Sequence, residues 1–304
     1  MLINLHSQST QKRVESASVD LVTTDEDLAA QSDYILSIVP PRDAHATAKR
    51  IVNASSSATF THRPHPLYYM DLNAISPRSA RELSDLFAPV SDKIRFLDGG
   101  IIGGAPKPAT RDFEPTSSTA DDKDQKVTTW TRPSIPISGP HTLVSAPVAG
   151  AHLASLLNSS HISPSIGAAS GLKMCFASLT KGFTALAIQS FTTASRMGVL
   201  DELQEQLKQY SPKTGEMTQG LTSMPPKAYR WVREMEEIRD TFAADGGFGE
   251  EEDIYGGVAR VYELVANGTV LGDEMTADRK RGRTVEDVAK CVSEGVDGRK
   301  RKME

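Results

Sequence analysis

Residues 168–197 constrain the fold more than any other stretch. The segment from Ala168 to Met197 contains no proline, opens after Gly167, closes at Gly198 and carries only Lys173, Lys181 and Arg196 as charges. Such a stretch reads as one helix of about eight turns, with Gly198 as its left-handed stop. A helix this apolar needs burial on most of its sides. Lys173 sits near its start. A charged amine facing a buried interior is costly unless it is paired or used. The run Gly167-Ala-Ala-Ser-Gly-Leu-Lys173 puts small residues before it, so that other backbone or a ligand can approach closely. Lys173 therefore reads either as an acid/base amine in a cleft between two domains or as a lysine on a solvated stripe of a core helix.

Upstream, residues 1–105 alternate strands and helices. Met1 to Leu5, Val19 to Val22, Tyr34 to Val39, Leu67 to Leu72 and Ile94 to Leu97 read as strands. Tyr34 to Val39 is a near-continuous apolar run stopped by Pro40-Pro41, the pattern of a strand buried on both faces of a parallel sheet. Between them lie helices: Thr24 to Gln31, with Thr24 as N-cap and Asp27 completing a capping box; Asp43 to Ala54; and one begun by Ser76-Pro77 and ending near Phe87. The alternation predicts a doubly wound α/β domain. Residues 107–130 are polar and aperiodic and read as a disordered surface insertion. Ile135 to Gly139 resumes as a strand edge, Ala151 to Leu157 as a short helix, and His161 to Ile166 as a strand or loop. Beyond Gly167 the chain reads as all helix, through Asp201 to Gln209, Pro226 to Ala244, Ile254 to Ala266 and Thr284 to Glu294. The domain reading is 1–150 for the sheet domain and 151–304 for the helical one.

With 304 residues and a net charge of −5, nothing points to nucleic acid or to an anionic membrane. The basic clusters Arg279-Lys-Arg281 and Arg299-Lys-Arg-Lys302 read as solvated segments. Cys175 and Cys291 lie far apart with no metal or disulfide spacing, Cys175 reads as an inert buried thiol, and a reducing, cytoplasmic compartment fits best. His6, His45, His62, His65, His141, His152 and His161 show no metal-ligand spacing, and no metal is expected. Asp121-Asp-Lys-Asp124 is a solvated run. No run of about 18 apolar residues exists to span a membrane.

Four motifs, in order along the chain, give it a resemblance. Leu36-Ser-Ile-Val-Pro-Pro41, Asp71-Leu-Asn-Ala-Ile-Ser-Pro77, Asp98-Gly-Gly-Ile-Ile-Gly-Gly104 and Gly167 to Lys173 resemble successive motifs of the β-hydroxyacid dehydrogenase superfamily, which includes 6-phosphogluconate and 3-hydroxyisobutyrate dehydrogenases. Ala228-Tyr-Arg-Trp-Val-Arg-Glu-Met-Glu-Glu-Ile238 is similar to a phosphogluconate-dehydrogenase-like branch with its own helical C-terminal domain. The resemblance implies a Rossmann-type domain followed by an all-helical domain. It implies an oxidoreductase that uses NADP or NAD on a small hydroxy acid or its keto or imine counterpart. Lys173 would be the acid/base, Gly99, Gly100, Gly103, Gly104 and Asn73 would line the substrate, and Ser37, Val39, Pro40 and Asn73 the cofactor. A homodimer through the helical domain is implied as well, and the apolar helix 168–197 points the same way.

The chain also departs from the pattern. No G-x-G-x-x-G occurs anywhere in it, and it begins at what resembles the family's second strand, so that about 25–30 residues of a βαβ unit are lacking. Ile102 stands where the family has a serine, and Ala177 where many members have an asparagine. His6 to Thr10 lacks the arginine that would favour a 2′-phosphate. Two readings stay open: an enzyme, or a truncated non-catalytic remnant that cannot hold cofactor.

Overall fold

The computed structural model describes residues 2–3, 14, 17–57, 60, 63–109, 129–274, 276 and 279–303. The first part of the chain is built around strands. β1 (Leu2–Ile3) pairs in parallel with β2 (Leu21–Val22) as a ladder of its own. The main sheet holds β3 (Tyr34–Ser37), β4 (Leu67–Asp71), β5 (Ile94–Gly99), β8 (Ile135–Ser138) and β9 (Ser159–Ser163) in the order 3-4-5-8-9. β3, β4 and β5 run parallel, β8 runs antiparallel to β5, and β9 is parallel to β8. The sheet is thus mixed, and Ile135–Ser138 lies inside it instead of forming its edge.

Two helices of this part begin where side chains satisfy their free N–H groups. In α1 (Asp25–Gln31) the Thr24 hydroxyl accepts from the Asp27 N–H and donates to the Asp27 carboxylate. α2 (Ala44–Ala54) follows the Pro41–Asp43 turn. In α3 (Pro77–Phe87) Ser76 caps the Ser79 N–H ahead of an N1 proline. α4 (Gly150–Leu156) precedes β9. Side chains alternate across β4: Tyr69 packs with Ile51, Leu83, Phe87 and Phe96 on one face, and Tyr68 and Met70 pack with Leu97, Ile137 and Leu143 on the other. β4 is therefore buried throughout, as is β8. The apolar run at β3 was expected to be so, but it alternates between half-buried and buried, and Ile38 beyond it is 60% exposed. The physical reason is its position: among the described residues β3 pairs with β4 alone. In the strand order 3-2-1-4-5-6 a first strand fills that place.

The expected disordered insertion is too wide at its ends. β6 (Lys107–Ala109) pairs antiparallel with β7 (Thr129–Thr131), where threonine and tryptophan favour extended backbone. Residues 110–128, with the Asp121–Asp124 run, lie outside the described residues, as do Asn4, Leu5, the His6–Thr10 loop and His62.

α5 (Ala168–Met197) is the predicted long helix, ended by Gly198 at φ 74°. It packs at the centre of a helical bundle with α6 (Leu200–Tyr210), the short α7 (Pro212–Met217) and α8 (Gly220–Ser223), α9 (Ala228–Ala244), α10 (Tyr255–Gly268) and α11 (Val285–Met303). Met174, Ile188, Phe191, Trp231, Met235, Ile238, Tyr262, Val265 and Val288 form its core. α11 runs nine residues past the expected end at Glu294, so the terminal Arg299–Lys302 cluster is helical. Cys175 is exposed on α5, against the expectation of a buried thiol, and Cys291 is buried. No helix of the described residues is long and apolar enough to cross a membrane.

Candidate active site

Four neighbouring strands each place a polar residue at one level of the sheet. Ser37 is in register with Asp71, Asp71 with Asp98, and Asp98 with Ser138, and all four are at most 3% exposed. This row lies at the carboxyl ends of β3, β4 and β5, the side on which open α/β sheets bind ligands.

On the β3–β4 side the row is closed by Asn73. Its Nδ2 donates to Asp71 Oδ1 at 2.5 Å and to Ser37 Oγ at 3.0 Å, and its Oδ1 accepts from the Val39 N–H at 2.7 Å. The amide ties the loops after β3 and β4 together. Ser37 and Asn73 are thus brought together with Val39 and Pro40, but both side chains are spent inside the protein. Asp71 is fully buried. Burial raises its pKa to about 7 against the bonds from Asn73, and the nearby Asp98 pushes the same way.

On the β5–β8 side stands Asp98, also fully buried. Oδ2 accepts from Ser138 Oγ (2.7 Å), the Gly167 N–H (2.8 Å) and the Ser170 N–H (3.3 Å), and Oδ1 accepts from Ser170 Oγ (2.5 Å). Ser138 Oγ in turn accepts from the Ala169 N–H at 3.0 Å. The free N–H groups of the first turn of α5 are therefore held by two strand ends, where a carboxylate also meets the positive end of the helix. The sequence carries a trace of this. Gly167, at the N-cap, has no side chain to cap with, so the cap has to come from elsewhere in the chain.

One turn on, Lys173 meets the strand that follows Asp98. Its Nζ donates to the Ile101 carbonyl at 2.5 Å. A Cβ on Gly100 would lie 2.9 Å from Lys173 Cβ, so the lysine stem rests on that glycine. Burial, and then the Arg230 guanidinium, hold the Lys173 amine below the usual lysine range. The other glycines of the motif divide. Gly99 packs against Leu72, Gly103 takes φ +117° beside Pro133, and the Cβ position of Gly104 faces open space. The structure thus places Gly100 against Lys173 and Gly99 against Leu72.

The helical domain closes over these loops. Glu237 of α9, 2% exposed, accepts from the Ser76 N–H (2.9 Å), Ser79 Oγ (3.0 Å) and Arg233 (2.7 Å). Lys181 pairs with Glu234 and lies 5.1 Å from the centre of the Trp231 ring. A cavity of about 120 Å³ remains in the seam, between Pro40, Pro41 and Arg42 on one side and Tyr229, Arg230 and Arg233 on the other. Sequence reading missed Asp98, Ser138, Ser170 and Glu237. Their partners are distant in the chain, and only the glycine N-cap hinted at them. Among the described residues no three His, Cys, Asp or Glu side chains cluster as a metal site.

Residues 194–265 match the family model described as Domain of unknown function (DUF1932). No curated protein matches the sequence. Among solved structures, the chain is similar to 3-hydroxyisobutyrate dehydrogenase from Salmonella typhimurium, at 14% identity and a TM-score of 0.56, over 93% of this chain and 88% of that one. It is similar to the 3-hydroxyisobutyrate dehydrogenase of Mycobacterium tuberculosis with L-serine, at 15% identity and a TM-score of 0.55, over 93% and 87%. A third is the conserved protein MTH1747 of unknown function, itself described as similar to 3-hydroxyacid dehydrogenases, at 24% identity and a TM-score of 0.51, over 86% and 84%. The chain has the 3-hydroxyacid dehydrogenase fold, and the resemblance read from its motifs holds at that level.

Proposed function

We propose that this chain is an NAD(P)-dependent oxidoreductase of a small hydroxy acid, or of its keto or imine counterpart, with Lys173 as acid/base. One observation carries the reading. Lys173, alone near the start of an apolar helix, is half-buried against Gly100 and Ile101 at the carboxyl ends of the strands, under the helical domain. An amine held below its usual pKa takes a proton from a substrate hydroxyl more readily at working pH, and returns it in the reverse direction. Gly100 keeps the lysine stem against the end of β5.

A nicotinamide nucleotide, NADP or NAD, would supply the hydride acceptor. The residues fit one end of it. The Val39-Pro40 turn and the Asn73 loop form a firm wall at the strand ends, with Asn73 and Ser37 shaping that wall from within. The pyrophosphate end finds no glycine-rich turn in the sequence, and the outer side of β3 carries no strand among the described residues. The rival reading is a non-catalytic remnant that cannot hold cofactor. The proposed partners are otherwise a small molecule and a second copy of the chain, in a reducing, cytoplasmic setting suited to two free thiols.

Two measurements separate the readings. Calorimetry with NADP and NAD on the 304-residue chain reports whether cofactor is held, and submillimolar affinity would dismiss the remnant. Where turnover is found, Lys173→Met should lower it about 10²–10⁴-fold and leave nucleotide affinity within a few fold. Turnover within threefold of the parent would end the acid/base assignment.

A further inference from the structure

We infer that Asp98 is the residue that positions Lys173. Two hydrogen bonds join the end of β5 and the loop after it to the start of α5 at one sequence separation. Asp98 meets Ser170, and three residues further along both segments Ile101 meets Lys173. Asp98 and Ile101 lie on one continuous piece of chain. Ser170 and Lys173 lie one turn apart on one helix face. The first bond therefore sets the second.

The mechanics follow from helix geometry. Each residue turns an α-helix by about 100° and advances it about 1.5 Å. A slip of one residue at the first turn would swing the amine off Gly100 and away from the Ile101 carbonyl. Gly167 cannot prevent this, because it has no side chain and sits at φ 97°. Asp98 does. Its two oxygens take Gly167, both donors of Ser170, and Ser138, while Ser138 holds Ala169. The Gly167 and Ser170 N–H groups and the Ser170 hydroxyl are fixed in direction by a carboxylate that cannot itself relax into water, being fully buried. Gly100, between Asp98 and Ile101, lets the helix sit close enough for the second bond to form. The importance of this for the reaction rests on the acid/base reading of Lys173. The geometry does not.

The test separates the two. In the full chain, the rate at which an amine reagent such as acetic anhydride modifies Lys173 is read at fixed pH by peptide mass spectrometry. Lys208, whose side chain is 79% exposed, serves as the internal standard. Asp98→Asn and Ser170→Ala should each raise the relative rate at Lys173 at least threefold, and Ser170→Thr, which restores the hydroxyl, should return it to the parent value. Ser170→Ala keeps the buried carboxylate and three of its donors, so it answers the question even if Asp98→Asn does not fold. An unchanged relative rate in folded Ser170→Ala overturns the inference. With a substrate in hand, kcat should fall in both variants with KM within about twofold. Faster labelling with kcat unchanged would support the positioning and sink the acid/base reading instead.

Discussion

The carboxylate of Glu237 accepts a hydrogen bond from the backbone N–H of Ser76 at 2.9 Å, across the seam between α9 and the start of α3. The same carboxylate takes Ser79 Oγ and Arg233. Removing it strands the Ser76 N–H at a buried junction, whereas Arg233, 45% exposed, keeps Glu236 as a partner. Glu237→Ala should cost about 1–3 kcal/mol per donor left unpaired. Thermal unfolding followed separately by Trp231 fluorescence and by far-UV dichroism would check it. Loss of a single coincident transition is expected if the junction couples the domains, and a melting temperature unchanged from the parent would count against it.

Gly100→Ala tests the close approach at Lys173. The new methyl group would stand 2.9 Å from Lys173 Cβ and 3.3 Å from Cγ, closer than carbon atoms tolerate. The helix is anchored one turn earlier, so the lysine has to give way. Turnover should drop at least tenfold, while Gly298→Ala, far from this site and with nothing within 4 Å of its Cβ, should leave it nearly unchanged. Turnover of Gly100→Ala within threefold of the parent would overturn the close approach.

Asp71 makes stability depend on pH. Its folded pKa is raised to about 7 from 3.8, chiefly by burial. Between these values the native state binds more protons than the unfolded chain, so stability falls as pH rises from about 4 to about 7 and stays lower above. The full effect is roughly 4 kcal/mol at most. Asp71→Asn keeps the shape and an acceptor for Asn73 and removes the titration. It should flatten this slope and raise the melting temperature at pH 8. Denaturant unfolding at pH 4.5 and pH 8 would show it, and parallel pH profiles for parent and variant would refute it.

The exposed face of α5 carries Leu172, Phe176, Leu179 and Leu186 at helical spacing, with Leu179 74% exposed. Beside it lies a cavity of about 680 Å³ lined by Phe183, Met217, Ile254 and Val261. A second copy of the chain covering this stripe gives the expected homodimer. Light scattering at micromolar concentration should return twice the chain mass of 32.9 kDa. Leu179→Glu should return the monomer, and a monomeric parent would discard the proposal.

Local signals made much of this legible. Glycines at both ends marked α5, and Thr24 and Ser76 marked helix starts. What stayed hidden depends on chain segments that are distant in sequence. Nothing near Asp98 shows that its carboxylate caps a helix beginning seventy residues later, and nothing near Glu237 names Ser76. α11 was read short because Gly295 and Gly298 argue against a helix interior. Gly295 is there for contact: a Cβ would meet the Gly268 carbonyl at 2.5 Å, where α10 ends. The inward turn of Asn73 was hidden for the same reason, since its amide answers to Ser37 and Val39 on another strand.

The anchoring of α5 also divides labour within the molecule. The helix is pinned at its first turn to β5 and β8, and further along it is the axis of the helical bundle. Lys173 and the strand beneath it therefore belong to a single frame and cannot part without breaking the core. On the proposed reading, adjustment to a substrate would fall to the seam where the Pro40–Arg42 turn meets α9 across a small cavity. Variation in that turn and in Tyr229 and Arg230 can retune what is admitted while the amine keeps its aim.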